Sequence, residues 1–369
     1  MRNKISVAHD ISLVKNPNYD FPTRDAINFA TDRSSTVIKP CKVNVSEDKI
    51  TTNEAGLYPV TYSYGKAKAH VTVEVRSDDN EGIVTADKTL QPGAGSATSW
   101  FKHFKTSGHW GKSFAPETKS HTLKSGEFHL KTYFYQPAIL SQSGTHNGLV
   151  GPVPEGLAVS RGTAYTTMYS SPHNMRSHIV AYKLNQIPNR YIMQKLPWMS
   201  WNKFTRLASH VKVSPYIKTG HGQAFSATKK NLRIKRIWSF KIWNNGANDG
   251  RYIHNAVFIN DHTFIAEYRR FEYWEVTRNG DSWIPKEIGA TKGDFMFNNS
   301  PVQGMAYDKK RKQIYLAFND YLFKLNRKGR MLDTGSFHTG REFEGICVNG
   351  NHFYAELAQR PELLRQRIK

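Results

Sequence analysis

Short runs in which apolar and polar residues alternate recur along the chain, separated by turn residues, and a period of two is that of strands with one buried face. In the first 76 residues Ile5-Ser6-Val7-Ala8 opens the series and Val43-Asn44-Val45 alternates in the middle. Tyr58 to Tyr64 is followed by Gly65-Lys66 and then by Ala69 to Val75, which predicts a hairpin patterned on both arms. About seven short strands in about 75 residues is the size of a β-sandwich. Ser77-Asp78-Asp79-Asn80-Glu81-Gly82 is polar and begins an expected linker over 77–100.

Beyond it one pattern repeats: a polar residue, Gly, an apolar residue or Gln, a small residue, an apolar one. It occurs at Glu155-Gly156-Leu157-Ala158-Val159, His221-Gly222-Gln223-Ala224-Phe225, Gln303-Gly304-Met305-Ala306-Tyr307 and Glu344-Gly345-Ile346-Cys347-Val348. Each copy leads through a turn into a second apolar stretch: Thr163–Met168, Asn231–Ile234, Gln313–Phe318 and His352–Ala355. The glycines are 66, 82 and 41 residues apart. The doubled interval predicts a degenerate copy between Gly222 and Gly304, and His254-Asn255-Ala256-Val257-Phe258 fits it, with Asn255 in place of Gly. A repeat of 40 to 50 residues built of strands is the mark of a propeller blade. The expected fold is all-β, an N-terminal β-sandwich over 1–76 and a five-bladed β-propeller over 101–369. A small residue after Gly suits a crowded inner strand near the axis, where the Gly permits close approach. Phe128 to Tyr135 is expected to complete the ring, and Asn185 to Lys195 to form a short helix or an excursion in an oversized first blade.

Charge adds to this picture once it is divided. The chain has 369 residues and a formal charge of +22, yet residues 1–85 hold 11 basic and 11 acidic side chains, so the excess belongs entirely to the rest. Between Phe128 and Asn248 there are 16 Lys and Arg and one carboxylate, Glu155. The densest cluster is Lys229, Lys230, Arg233, Lys235 and Arg236, in which Leu232, Ile234 and Ile237 alternate with cations as in a strand with one wet side. A field of this size weakens the fold by self-repulsion unless a polyanion neutralises it. Candidates are teichoic acid, an anionic lipid surface and nucleic acid. Trp238-Ser239-Phe240-Lys241-Ile242-Trp243 has the aromatic and cationic character of a single-strand binder, but no nucleic-acid motif accompanies it, and specific nucleic-acid binding is not expected.

Other chemistry is sparse. Cys41 and Cys347 are two isolated cysteines without metal-ligand or disulfide spacing. No nucleotide-binding loop, serine-hydrolase elbow or zinc-protease motif occurs. No apolar run approaches the ~18 residues of a membrane span, and no apolar signal core follows Met1. The chain therefore reads as either intracellular or the mature form of an exported protein.

Glu54-Ala55-Gly56-Leu57-Tyr58-Pro59-Val60-Thr61-Tyr62-Ser63-Tyr64-Gly65, closing with Val71-Thr72-Val73-Glu74-Val75, resembles the end of a bacterial Ig-like repeat of Gram-positive surface proteins. Asp20-Phe21 and Ala30-Thr31-Asp32 fit the same pattern. The resemblance covers residues 4–76 and implies a non-catalytic spacer on an exported protein. Gly220 to Phe225, Val302 to Asp308 and Glu342 to Ile346 with Asn351 to Tyr354 resemble helveticin J and its relatives, bacteriocins of lactic acid bacteria. That likeness spans roughly 120–360 and implies secretion and growth inhibition, with no catalytic residues to carry over.

If the repeats are equivalent blades, Glu155, His221, His254, Gln303 and Glu344 converge as a polar ring at one mouth of the channel. Such a ring could hold a divalent cation, although no cofactor is required, or Glu155 and Glu344 could act as the acid and base of a propeller glycoside hydrolase on wall or extracellular polysaccharide. Glu342, Asp308 and Asp294 are alternative partners for Glu155. The expected function is a secreted or cell-wall-associated antibacterial binding protein, with the hydrolase as the alternative.

Overall fold

The computed structural model describes residues 3–7, 10–18, 20–34, 36–76, 83–87, 96–97, 119–136, 153–171, 176–193, 206–207, 210–213, 217–218, 224–227, 239–243, 253–268, 271–280, 282–292, 302–339, 341–358 and 361–368. Regular structure among them is almost entirely strand, in several sheets, so the all-β expectation holds.

In the N-terminal part Lys4–Val7 pairs antiparallel with Ile27–Thr31, which also holds Val37–Ile38. A second sheet is built on the expected hairpin, Gly56–Tyr64 with Ala67–Arg76, flanked by Asp10–Val14 in parallel and by Asn44–Val45. The hairpin turns at Gly65, whose φ of 56° is left-handed, and a Cβ there would collide with the Asn3 side chain. Val71, Val73 and Val75 point into the core while Thr72 and Glu74 face solvent, the period of two seen in the sequence. They meet Phe21, Ile27, Val60 and Tyr62 between the sheets, and the Tyr62 hydroxyl donates to the Thr23 carbonyl at 2.7 Å. Each buried Val or Phe here stabilises by about 1.5–3 kcal/mol.

Two stretches of the expected linker are strands. Ile83–Asp87 runs parallel to Ser239–Trp243, and Ser96–Ala97 parallel to the end of Ser282–Lys292. The β-branched composition of Ile83-Val84-Thr85 favours this over an open tether.

Among the described residues the second part holds four sheets built mainly of antiparallel strands. Their strands are Val153–Ser160, Thr163–Ser171, Arg176–Lys183 and Val211–Val213; Ile253–Asn260, Thr263–Tyr268, Glu272–Asn279 and Ser282–Lys292; Gly304–Asp308, Gln313–Phe318, Tyr321–Asn326 and Met331–Ser336; and Phe343–Asn349, His352–Leu357 and Glu362–Arg367. Phe128–Tyr135 joins the last of these by pairing antiparallel with Glu362–Arg367, and Thr122–Ser125 pairs outside it, so the C-terminal sheet is sewn to residues more than 200 positions earlier. The 185–195 excursion begins with a 3-10 turn at Leu184–Gln186.

The first strands of the four sheets lie side by side in the order 253–260, 304–308, 343–349, 153–160. Their far ends line one cavity of about 900 Å³, through residues such as Ser160, Asn260, Asp308 and Asn349, and residues 225–227 line it too. The described sheets do not close into a ring. His221, the strand expected at 231–234 and the basic cluster Lys229, Lys230, Arg233, Lys235 and Arg236 lie outside the described residues, as does Asp294.

Candidate functional site

At two copies of the repeat the polar residue precedes a point where two inner strands nearly touch. A Cβ on Gly304 would strike the Glu344 carbonyl, and one on Gly345 would lie 2.5 Å from the Leu157 backbone nitrogen and 2.7 Å from its Cβ. Gly304 and Gly345 are therefore demanded by the neighbouring sheet. Asn255, which replaces the glycine of the repeat, is fully buried and donates through Nδ2 to the Val302 carbonyl at 2.8 Å, bridging to the next inner strand with a side chain. Gly345→Ala is expected to destabilise by about 1–3 kcal/mol through overpacking, read as a lower midpoint in urea. An unchanged midpoint would show that the sheets can part.

At three of the four described copies the strand register slips at this position: between Pro154 and Gly156, between Ile253 and Asn255, and between Phe343 and Ile346. Such a bulge re-aims the residue inside it. Glu155, His254 and Glu344 occupy these bulges, and Gln303 directly precedes its strand, its backbone N–H bonded to Ala317 O at 2.8 Å. Nothing is described of the His254 side chain, although its backbone lies in Ile253–Asn260.

The structure brings Glu155, Gln303 and Glu344 together. Glu344 hydrogen-bonds Glu155 on one side and Glu342 on the other, and the Gln303 amide donates to Glu342. Two carboxyls hydrogen-bond only when one carries a proton. Burial, with both groups 2% exposed, pushes the pKa of each well above the carboxylate range; the charge of Glu342 adds to this at Glu155, and the charges of Glu155 and Glu342 add to it at Glu344. Glu356, fully buried alongside, is pushed by burial to about 8 although Thr166 and Gln136 both donate to it. Glu356, Gln136 and Thr166 carry no repeat signature; they reach the site from second strands and from the N-terminal addition, which only sheet pairing reveals.

This nest holds protons between carboxyls. Among the described residues no group of three or more His, Cys, Asp or Glu is placed to hold a metal ion. Glycoside hydrolysis needs two carboxyls held apart, by about 5–5.5 Å or 6.5–9.5 Å, with the sugar between them. Glu155 and Glu344 instead bond to each other. Asp308 is engaged elsewhere, accepting from the backbone of Lys310 and Arg311 and from the Arg311 guanidinium at 2.9 Å. Cys347 is half-buried and accepts the Val159 N–H at 3.2 Å, and desolvation pushes its thiol up to about 12, far from a reactive thiolate.

The two-sheet sandwich with Tyr62 and Phe21 at its centre has a known counterpart. Residues 21–75 match the bacterial Ig-like domain (group 3) family. Bacterial Ig-like domains are typical of surface or extracellular proteins. The strands Lys4–Val7 and Asp10–Val14 lie ahead of the matched stretch yet complete both sheets of the Ig-like domain. No curated protein sequence matches the chain. Among solved structures, the WD40 β-propeller domain of Doa1 is 10% identical with a TM-score of 0.22, over 28% of this chain and 34% of that one. The β-propeller domain of Myceliophteria thermophila Cps50 (Swd1) is 10% identical with a TM-score of 0.24, over 56% and 49%. The computationally designed Ika4 protein is 9% identical with a TM-score of 0.23, over 62% and 96%. The chain thus spans about a third of the Doa1 domain. Superpositions this loose leave the arrangement of sheets to rest on their own strand pairing.

Proposed function

We propose that the chain is a secreted or wall-associated binding protein of Gram-positive bacteria, in which a neutral Ig-like spacer carries a basic five-bladed β-propeller that engages anionic wall polymer or membrane surface, as an antibacterial protein of the helveticin J kind would. The observation that carries this reading is the partition of charge: the whole excess of +22 lies beyond residue 85, behind an electroneutral module. The Ig-like match supports an extracellular setting. Five blades are supported by the cavity shared among four inner strands and residues 225–227, where the sequence repeat places the fifth. The mutually bonded, buried Glu155 and Glu344 favour binding over hydrolysis.

Retention on purified Gram-positive walls is expected to fall steeply with NaCl and to drop when teichoic acid is extracted beforehand, because each cation bound to a phosphate releases counterions. Retention insensitive to salt would overturn the electrostatic reading. Incubation with wall polysaccharide is expected to release no reducing sugar. Release that disappears in Glu155→Gln and Glu344→Gln would establish the hydrolase instead.

A further inference from the structure

A groove of about 650 Å³ lies between the C-terminal sheet and the segment Ile187–Tyr191, on the side facing the 153–213 sheet. Its floor is formed by neighbouring strands. Lys131 sits directly across from Arg365, and Arg367 directly across from His352. Arg190 and His129 stand at the walls, and among the described residues no Asp or Glu lines it. Cations directly opposite one another across a strand pair are destabilising. Some cations elsewhere among the described residues have carboxylate partners, as Lys324 has Glu127 and Arg327 has Glu275. Burial and the charges of Arg365 and Arg367 push the His352 imidazole below its ordinary range, so it faces Arg367 as a neutral ring and the directly opposed cations are Lys131 and Arg365. The Arg365 guanidinium lies 4.1 Å over the Tyr133 ring, which orients its fork.

We propose that this groove is a binding site for a phosphodiester-linked polyol or sugar chain, with Lys131, Arg365 and Arg367 on the phosphates and Tyr133, Pro188 and Tyr191 against the carbon backbone between them. The polymer rests on the wall-binding reading above; the phosphate chemistry rests on the groove alone. Arginine forks match phosphate oxygens bidentately, and the volume lies within the range of ligand clefts. A bilayer is the poorer occupant. The exposed large apolar side chains among the described residues are Leu57, Phe258, Ile284 and Leu332, and none lines the groove to enter a membrane.

The test is a calorimetric titration of the full chain with a synthetic glycerol-phosphate oligomer, beside a phosphate-free polyol of equal length and phosphatidylglycerol vesicles. Lys131→Gln/Arg367→Gln is expected to weaken oligomer binding at least tenfold and to reduce the slope of log K against log salt by about 1.4, at about 0.7 per phosphate contact for a flexible chain. Lys312→Gln/Lys328→Gln removes equal charge away from the groove and is expected to leave affinity within about twofold. The groove double variant is also expected to melt no lower than the parent, since it relieves like-charge pairing. Equal weakening by both double variants would overturn the groove while leaving the diffuse electrostatic reading intact. Vesicle binding with no oligomer binding would overturn the polymer, and binding of the phosphate-free polyol at equal strength would overturn the phosphate chemistry.

Discussion

Arg341→Met is expected to destabilise the second part by about 3–5 kcal/mol, because it leaves a carboxylate buried without its cation. Arg341 and Glu362 are 3% and 0% exposed, with Nη1 donating to Oε2 at 2.6 Å and Nε donating to the Ala358 carbonyl at 3.1 Å. Thr132 and His121, from the N-terminal addition to the C-terminal sheet, bond the same carboxylate at 2.5 and 3.0 Å. The cluster therefore fastens the two sequence-distant portions of that sheet. Burial alone would raise the Glu362 pKa, but the His121 bond, the Arg341 charge and Thr132 outweigh it and hold the carboxyl below its ordinary range. A depressed carboxyl contributes stability above its unfolded pKa that is lost as pH falls through its folded one. Thermal unfolding at pH 7 is expected to show a midpoint lower by roughly 10 °C. Arg341→Met/Glu362→Leu should recover most of it, since replacing both partners by apolar groups is nearly neutral. A single variant within about 1 kcal/mol of the parent, or a double variant no better than the single, would refute this account.

Glu356→Gln is expected to do the reverse, stabilising the protein above neutrality. Glu356 lies on the strand beside Glu362, yet its hydrogen-bond partners are the uncharged Thr166 and Gln136, and burial pushes it up to about 8 from an ordinary 4.5. Its Oε2 is buried without a hydrogen-bond partner, a place for a proton and not a charge. Between pH 4.5 and 8 the folded chain keeps a proton that the unfolded chain has lost, so stability falls as pH rises, by about 1.4 kcal/mol per unit for one proton. Across that window the loss is roughly 4–5 kcal/mol, and an amide, which cannot ionise, removes it. Denaturant unfolding at pH 5, 6.5 and 8 should show a slope against pH shallower by about one proton in Glu356→Gln. Parallel slopes for parent and variant would mean that Glu356 is ionised in the folded state.

Much of the strand layout was readable from the chain. Phe128–Tyr135 and Gln313–Phe318 occupy their expected places because alternation along a half-buried strand and the turns that bound it are local properties. The glycine of the repeat was legible for the same reason: a missing Cβ marks a close approach, and Gly304 and Gly345 make that approach to the next inner strand. Less was readable of the site. Glu155, Gln303 and Glu344 share a recurring signature, whereas Glu342 was noted only as a spare acid, and Glu356, Gln136 and Thr166 follow no pattern linking them to the others. The parallel pairing of Ile83–Asp87 with Ser239–Trp243 also escaped a reading of 77–100 as linker, since a strand's partner lies far along the chain.

By itself the sequence determined the all-β class, the sandwich ahead of a repeating second part and the confinement of the basic excess to that second part, all consequences of local periodicity and of counting. Only the tertiary structure decided what the buried acids are. Glu356 and Glu362 are the same residue type, six positions apart, on adjacent strands. One is buried against the uncharged Thr166 and Gln136 and keeps its proton, and the other faces Arg341 and His121 and gives it up. Which charges stand near a buried group is set by sheets that assemble across more than 200 residues, and in a medium of low polarity those neighbours outweigh the intrinsic chemistry of the side chain.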